Sequence, residues 1–381
     1  MGNPLLGVFF HWLGGLSSAS FYVPYRGVKR WSWEVFWLTG GLFSWLIAPW
    51  LFAAIQTNDL LAVIGATPPR TVFYCTFFGF LWGFGGLTYG LTMRYLGLSL
   101  GMAVVLGLCT VFGTLIPPIF AGEFATKLLG TTSGIISLVG LAITVLGIVV
   151  VAHAGARKDA ALSTEQKAET IAEFNFRRGI AVAIFSGIMS SCYAYGLAAG
   201  DPVRELSAAA GTGPLWVGLP VICLVAGGGL ITNGIWCLIL IVRNGTAGQW
   251  LGRSTSPEAA PAGESTSATQ AAPMEPGHLA GQHDAPARAP LLRNYLLCAL
   301  GGTLWYFQFF FYTMGESQMG RFGFSSWTLH MASIIIFGTV WGFALKEWKD
   351  AEPRTRATVW IGVGLLVFAT VVIGYGNMLA E

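Results

Sequence analysis

The sequence predicts an all-α integral membrane protein of ten transmembrane helices arranged as a 5+5 inverted repeat. Three observations lead there. The chain is 54% hydrophobic and only 10% charged, against about 25% charged residues in an ordinary soluble domain. Ten stretches are apolar over the ~20 residues that a helix needs to cross a hydrocarbon layer about 30 Å thick. Short motifs of the first half recur, in the same order, in the second.

The first stretch, 4–26, has no charged segment before it, so it is expected to stay in the protein as a helix and not be removed as a signal peptide. The second, 33–56, follows the basic cluster Arg26, Lys29 and Arg30. The third and fourth, 71–94 and 97–121, are almost continuous and meet at Leu96-Gly97, and 132–155 completes the first five-helix repeat, residues 1–156. Residues 157–177 carry mixed charge and read as a cytoplasmic linker. The second repeat, 178–381, places helices at 178–199, 215–242, 292–314, 325–346 and 357–379. Between its second and third helices, residues 244–291 are rich in Ala, Pro, Ser, Gly and Thr, with almost no aromatic residue after Trp250. Such a composition buries too little apolar area to offset the entropy of ordering, so a disordered cytoplasmic loop is expected.

Orientation follows from charge. Of the 21 Lys and Arg residues, 17 fall in the gaps that lie on one side of such a bundle. The positive-inside rule makes that side cytoplasmic and puts both termini on the other.

The repeat is visible in particular residues. Leu81-Trp82 and Tyr89 match Leu304-Trp305 and Tyr312; Gly14, Ser17-Ser18 and Tyr22 match Gly187, Ser190-Ser191 and Tyr195. Gly97 pairs with Gly320 at the same offset as the Trp pair, and the offset grows from 173 to 223 across the 244–291 insert. Five is odd, so the second half enters the bilayer upside down relative to the first. Secondary transporters are often built this way, with a site at the interface of two halves that rock around it.

Several intramembrane residues are candidates for chemistry. Positions 0, 4, 7 and 11 of a helix share a face, which aligns Gly301, Trp305, Gln308 and Tyr312, and likewise Trp82 with Tyr89. Indole and phenol rings suit the C–H face of a sugar and can bond its hydroxyls; the same rings also serve as ordinary packing or interface residues. A primary amide at mid-helix needs partners, and Gln308 fits either a polyol or an interhelical bond. His11 shares a face with Gly7, Gly14, Ser18 and Tyr22, and His330 one with Ser326 and Ser333. An unperturbed imidazole titrates near ~6.5, so each His is a candidate proton site or a hydrogen-bonded packing residue. Glu34 has two readings, a surface ion pair with Arg30 or a carboxylate reaching the pocket. Arg94 and Glu316 sit at repeat-equivalent helix ends and read as a gate or an ion pair, while Glu123 and Glu347 read as anchors.

Other chemistries lack their motifs. There is no HExxH or P-loop, and the six Cys all fall in predicted helices without zinc spacing. An enzyme is therefore not expected, nor a metal or cofactor, and no nucleic-acid or obligate protein partner is indicated.

The stretches FYVPYRGVKRWSWE (21–34), YGLTMRYLGLSLG (89–101), LWYFQFFFY (304–312), SWTLHM (326–331) and LKEW (345–348) resemble the bacterial L-rhamnose/proton symporters, a branch of the drug/metabolite transporter superfamily. The resemblance spans the membrane portion and stops at the 244–291 insert. It implies the drug/metabolite transporter fold in the bacterial inner membrane, periplasmic termini, and uptake of L-rhamnose or a related deoxy sugar coupled to protons. The sugar would meet His11, Tyr22, Trp82, Tyr89, Trp305, Gln308 and Tyr312, with Glu34, His330 or His11 carrying the proton. Its amides near Gly86, Thr88 and Gly196 are absent here. An exporter or exchanger of the same fold without proton coupling is the alternative.

Overall fold

The computed structural model describes residues 2–96, 98–160, 176–253, 289–320, 325–346, 348–349 and 351–379. Every regular element among them is helical. In chain order they are α1 (Pro4–Ser20), α2 (Tyr22–Tyr25), α3 (Trp33–Leu42), α4 (Ala48–Gln56), α5 (Leu60–Ala66), α6 (Pro69–Leu96), α7 (Leu98–Phe120), α8 (Thr132–Ala160), α9 (Phe176–Ala198), α10 (Asp201–Ala209), α11 (Leu219–Asn244), α12 (Leu291–Ser317), α13 (Ser325–Ala344) and α14 (Pro353–Met378).

Local chemistry explains several ends. Asn3 caps α1 by accepting from Leu6 N at 3.2 Å, with Pro4 at the first helical position. Helix α11 stops at Gly245, whose φ of 65° is the left-handed conformation that closes helices and that glycine adopts without penalty. Helices α3 and α4 form one rod through a π-helical turn, Phe43–Ile47.

A helix covers each apolar stretch read from the sequence. Seven rods are long and apolar enough to cross a membrane: Trp33–Gln56, Pro69–Thr92, Thr132–Lys158, Arg177–Ala209, Leu219–Asn244, Ser325–Ala344 and Pro353–Met378. Helix α1 is 17 residues long, and in α7 the apolar segment is the shorter Val104–Phe120. Helices α5 and α10 are short additions in gaps where the sequence pattern placed nothing.

Packing is selective. Helix α9 lies against α6 and α7, α1 against α12 and α13, α14 against α8, and α11 against α6. Where α6 meets α11, glycines allow backbone contact from both sides: a Cβ on Gly79 would collide with Val225 O, and one on Gly228 with Thr76 O. Leu5, Phe9, Ile55, Phe73, Val242 and Phe368 face outward, as expected of a surface whose solvent is hydrocarbon. Inside, the largest core cluster holds Trp45, Tyr193, Trp305, Phe309, Tyr312, Trp327 and Met331.

One expectation needs correction. Residues 244–253, assigned by composition to the disordered loop, are ordered: Asn244 ends α11, and Thr246–Leu251 form a 3-10 turn with Thr246 and Gln249 buried. The turn is held by side chains, because Trp31 Nε1 donates to Gln249 O at 2.9 Å, Ser32 N to Gln249 Oε1 at 2.6 Å and Trp250 Nε1 to Thr39 Oγ1 at 2.9 Å. Average composition over 48 residues hides such a local anchor. The rest of the 244–291 loop up to residue 288, and most of the 157–177 linker, lie outside the described residues.

Candidate functional site

Helices α1, α12 and α13 bring His11, Tyr312 and His330 together. The His11 and Tyr312 ring centroids are 5.3 Å apart, Tyr312 and His330 5.4 Å, and the two imidazoles 6.4 Å. Small residues permit this: a Cβ on Gly315 would sit 2.8 Å from His11 Cε1, and one on Gly14 would sit 2.8 Å from Gln308 O and 3.2 Å from His330 Nδ1. Ser333 Oγ lies 2.9 Å from His11 O and 2.7 Å from His330 O, tying α13 to α1.

Both imidazoles are fully buried, and none of their four ring nitrogens has a hydrogen-bond partner among the described residues. Buried polar atoms are nearly always paired, and leaving one unpaired costs about 1–3 kcal/mol. Two such rings side by side are therefore poor packing residues.

Gln308, one turn before Tyr312, accepts from Ser18 Oγ at 2.8 Å across α1 and α12. One turn earlier, Trp305 meets Trp82 at 5.2 Å between ring centroids, so the two echoed tryptophans touch. Trp45, from the π turn, closes on both at 5.9 and 6.2 Å. Between Phe21, Tyr25, Trp37, Ser44, Trp45 and Trp305 lies about 170 Å³ of interstitial space, nowhere wide enough for a water molecule. The aromatic centre is thus tightly packed.

The echoed tyrosines do not meet. Tyr22 stacks on Trp37 at 6.1 Å and lies 4.1 Å from Phe21, while Tyr89 packs with Leu96, Val105 and Ala183. Seven residues carry Tyr89 about 10 Å along α6 from Trp82, out of the centre and against α7 and α9. The described ring contacts of His11 are with Tyr312 and His330, and neither Tyr22 nor Tyr89 packs against it.

Glu316 forms an ion pair. Arg204 of α10 donates to Glu316 Oε2 at 2.8 Å, to Asp201 Oδ1 at 2.7 Å and to Leu197 O at 2.9 Å. Tyr312 OH lies 3.4 Å from Glu316 Oε1, linking this ion pair to the imidazole cluster. The side chain of Arg94 lies outside the described residues. Glu347 also lies outside them, and Glu123 pairs with Lys127 on the surface at 2.7 Å.

Glu34 sits at the opposite end of the bundle. It is 1% exposed, so the solvent-exposed ion-pair reading fails. Its Oε1 accepts from Asn244 Nδ2 at 3.1 Å and Thr246 Oγ1 at 3.0 Å. The carboxylate is thereby part of the ordered turn after α11, away from His11 and His330. Nearby, Asn294 exchanges hydrogen bonds with the Lys29 backbone, 3.1 and 2.8 Å, tying the segment before α3 to α12.

Sequence reading missed Trp45, Tyr193 and Arg204. Tyr193 was within sight, two residues before the Tyr195 of the repeat match, and on the opposite side of its strip of α9. Trp45 gave no signal, since a π turn shifts its phase relative to the rest of the rod. No group of three or more His, Cys, Asp or Glu suited to a metal occurs among the described residues.

A bundle of membrane-length apolar helices with polar groups turned inward is an integral membrane protein. Comparison with known proteins makes this specific. The family described as L-rhamnose-proton symport protein (RhaT) matches residues 1–247 and 280–379, and the chain belongs to that family. It is 35% identical over 377 residues to the L-rhamnose-proton symporter of Mannheimia succiniciproducens, covering 98% of each chain. It is also 35% identical over 379 residues to that of Salmonella paratyphi B, covering 99% of each. The unmatched residues 248–279 fall in the 244–291 insert.

Proposed function

We propose that this protein takes up L-rhamnose, or a closely related deoxy sugar, together with protons across the bacterial inner membrane. The observation that carries the reading is the pair of buried imidazoles with unpartnered nitrogens, set against Tyr312 and one helical turn from Gln308. Membership of a family whose relatives are named L-rhamnose-proton symporters supports the sugar and the coupling ion. The proton is the coupling ion, and no cofactor takes part.

The architecture behind it is ten spans in two inverted five-helix repeats, working by alternating access, with both termini periplasmic. Packing supports the symmetry. Exchanging the halves, α1 for α9, α6 for α12, α7 for α13 and α8 for α14, turns the α1–α12 contact into α9–α6 and the α1–α13 contact into α9–α7, all of which occur. The α8–α14 contact maps onto itself. In this orientation Glu316 and Arg204 lie on the periplasmic side and the Glu34 seal on the cytoplasmic side.

Each part has a role in this reading. Sugar binds against Trp305, Gln308 and Tyr312, with His330 and His11 as proton sites. Glu34 holds the cytoplasmic seal and Glu316 the periplasmic one. Each proton moving inward contributes ~2.3 kcal/mol per 100 mV of membrane potential, enough for between one and two decades of sugar accumulation.

The test is uptake of radiolabelled L-rhamnose into proteoliposomes with and without an imposed inward proton gradient. Accumulation above equilibrium only with the gradient is expected. Uptake unchanged when the gradient is collapsed favours the uncoupled exchanger, and no L-rhamnose uptake under either condition overturns the proposal.

A further inference from the structure

The aromatic centre contains donors with nothing to bond. Trp31, Trp37, Trp250, Trp327 and Trp341 each donate their indole N–H to an acceptor 2.8–3.2 Å away. Tyr195, Tyr295 and Tyr312 likewise use their hydroxyls. Against that background, Trp12, Trp45, Tyr193 and Tyr306 keep buried polar atoms without partners. Trp12 lies against Phe337 and Tyr306 stacks on Phe52, and neither ring meets Trp82 or Trp305 among the described ring contacts. Trp45 and Tyr193 are different, because each touches both Trp82 and Trp305, with ring centroids between 5.3 and 6.4 Å apart. Trp45 is 2% exposed and Tyr193 0%.

Trp45 is also specially mounted. It stands on the π turn Phe43–Ile47, a helical distortion that recurs at functional sites. Its ring folds over Gly41, where any Cβ would strike it, and its neighbour Ser44 donates to Gly302 O on α12 at 2.9 Å. The turn is thus pinned to the helix that carries Trp305 and Gln308.

We propose that Trp45 and Tyr193 read the hydroxyls of the transported sugar. In the conformation that parts these packed rings, a pyranose lays its C–H face on the Trp82–Trp305 pair and takes a hydrogen bond from Trp45 Nε1 and one with the Tyr193 hydroxyl. An indole N–H only donates, so it selects an oxygen acceptor; a phenol can donate or accept. The ligand class is a neutral polyol, since the two unpartnered groups are an uncharged indole N–H and an uncharged phenol O–H, which match hydroxyl oxygens. This inference rests on the sugar-transport reading above.

The experiment is calorimetric titration of purified protein with L-rhamnose, its monodeoxy analogues, L-fucose and L-mannose. Trp45→Phe and Tyr193→Phe keep the rings and remove one donor each, and each is expected to weaken L-rhamnose by ~3- to 10-fold. At least one monodeoxy analogue should lose affinity for the wild type but lose nothing further in Trp45→Phe. Tyr306→Phe removes an equally buried, unpartnered hydroxyl whose ring packs on Phe52, Phe307 and Phe310 instead of the tryptophan pair, and should bind like the wild type. The assignment is overturned if Trp45→Phe and Tyr193→Phe titrate as wild type, or if Tyr306→Phe weakens binding as much as they do. Either result leaves the transport reading standing. If the wild type ignores L-rhamnose but binds L-fucose or L-mannose with this variant pattern, the rhamnose reading fails and the assignment holds. Binding of none of the sugars overturns both.

Discussion

Replacing Gln308 by Leu separates substrate recognition from helix packing. Leucine nearly fills the volume of glutamine, so the change removes an amide without opening a cavity. In the folded protein the amide makes one described bond, accepting from Ser18 Oγ at 2.8 Å. Interhelical side-chain bonds in membranes average only ~0.6 kcal/mol. Ser18 need not be left unpaired, because hydroxyls throughout this bundle turn to the carbonyl four residues back, as Thr39, Thr67 and Thr110 do at 2.6–2.8 Å. The melting temperature should therefore fall by only about 1–2 °C. No described residue accepts from the amide nitrogen of Gln308, which leaves two N–H groups for sugar hydroxyls. At ~1 kcal/mol each, their loss is about 2 kcal/mol, or roughly thirtyfold in Kd. Calorimetric titration with L-rhamnose and thermal unfolding on the same purified sample measure both quantities. A Kd within about threefold of wild type, with a large fall in melting temperature, would show Gln308 to be an interhelical tie and refute the reasoning.

Three further outcomes are expected. His330→Ala should abolish sugar-induced proton uptake, followed with a pH-sensitive dye in weakly buffered proteoliposomes, while sugar exchange continues; persistent proton uptake moves the coupling role to another group. Arg204→Gln removes a charge-assisted bond worth about 1.5–3 kcal/mol from the α10–α12 contact, so a cysteine introduced at Ser317 should label at least about tenfold faster. The six native cysteines are buried and should not compete, and an unchanged labelling rate would show that Glu316 and Arg204 do not hold that end shut. Deleting residues 255–285 should leave L-rhamnose uptake at its wild-type rate, and lost transport at normal expression would give the loop a function.

The positions of the helices were legible because hydrocarbon thickness fixes how long an apolar run must be, and each run survives in one sequence. Gln308, Tyr312, His11 and His330 could be singled out for a related reason: polar atoms at mid-helix are costly in lipid, so they stand out against their neighbours. Which of them meet was not legible. Trp82 and Trp305 touch while Tyr89 and Tyr312 do not, since helices cross at an angle and residues a turn or two from the crossing diverge. Glu34 looked like a surface residue beside Arg30, because the turn that buries it, Thr246–Leu251, lies 212 residues away in sequence at its nearest bond. Arg204 was invisible for the converse reason: its i,i+3 pair with Asp201 reads as an ordinary surface contact until α10 folds back on α12.

The unpartnered nitrogens also say how a sugar and a proton could depend on one another. An imidazolium donates two hydrogen bonds, and around His11 and His330 the described structure offers neither ring an acceptor. The nearest rings are Tyr312, Phe309 and Trp327, and the Glu316 carboxylate that could balance a positive charge is already engaged by Arg204. A charge on either ring thus calls for acceptors from outside the protein. In the proposed site sugar hydroxyls supply them, since Gln308 lies one helical turn from Tyr312, whose ring packs on both imidazoles. Any preference of the sugar for the protonated carrier must then appear equally as a preference of the proton for the sugar-loaded carrier, because binding linkage is reciprocal. Symport follows from that reciprocity without a dedicated relay: the ring that gains a proton does so most favourably when the hydroxyls that accept from it are in place.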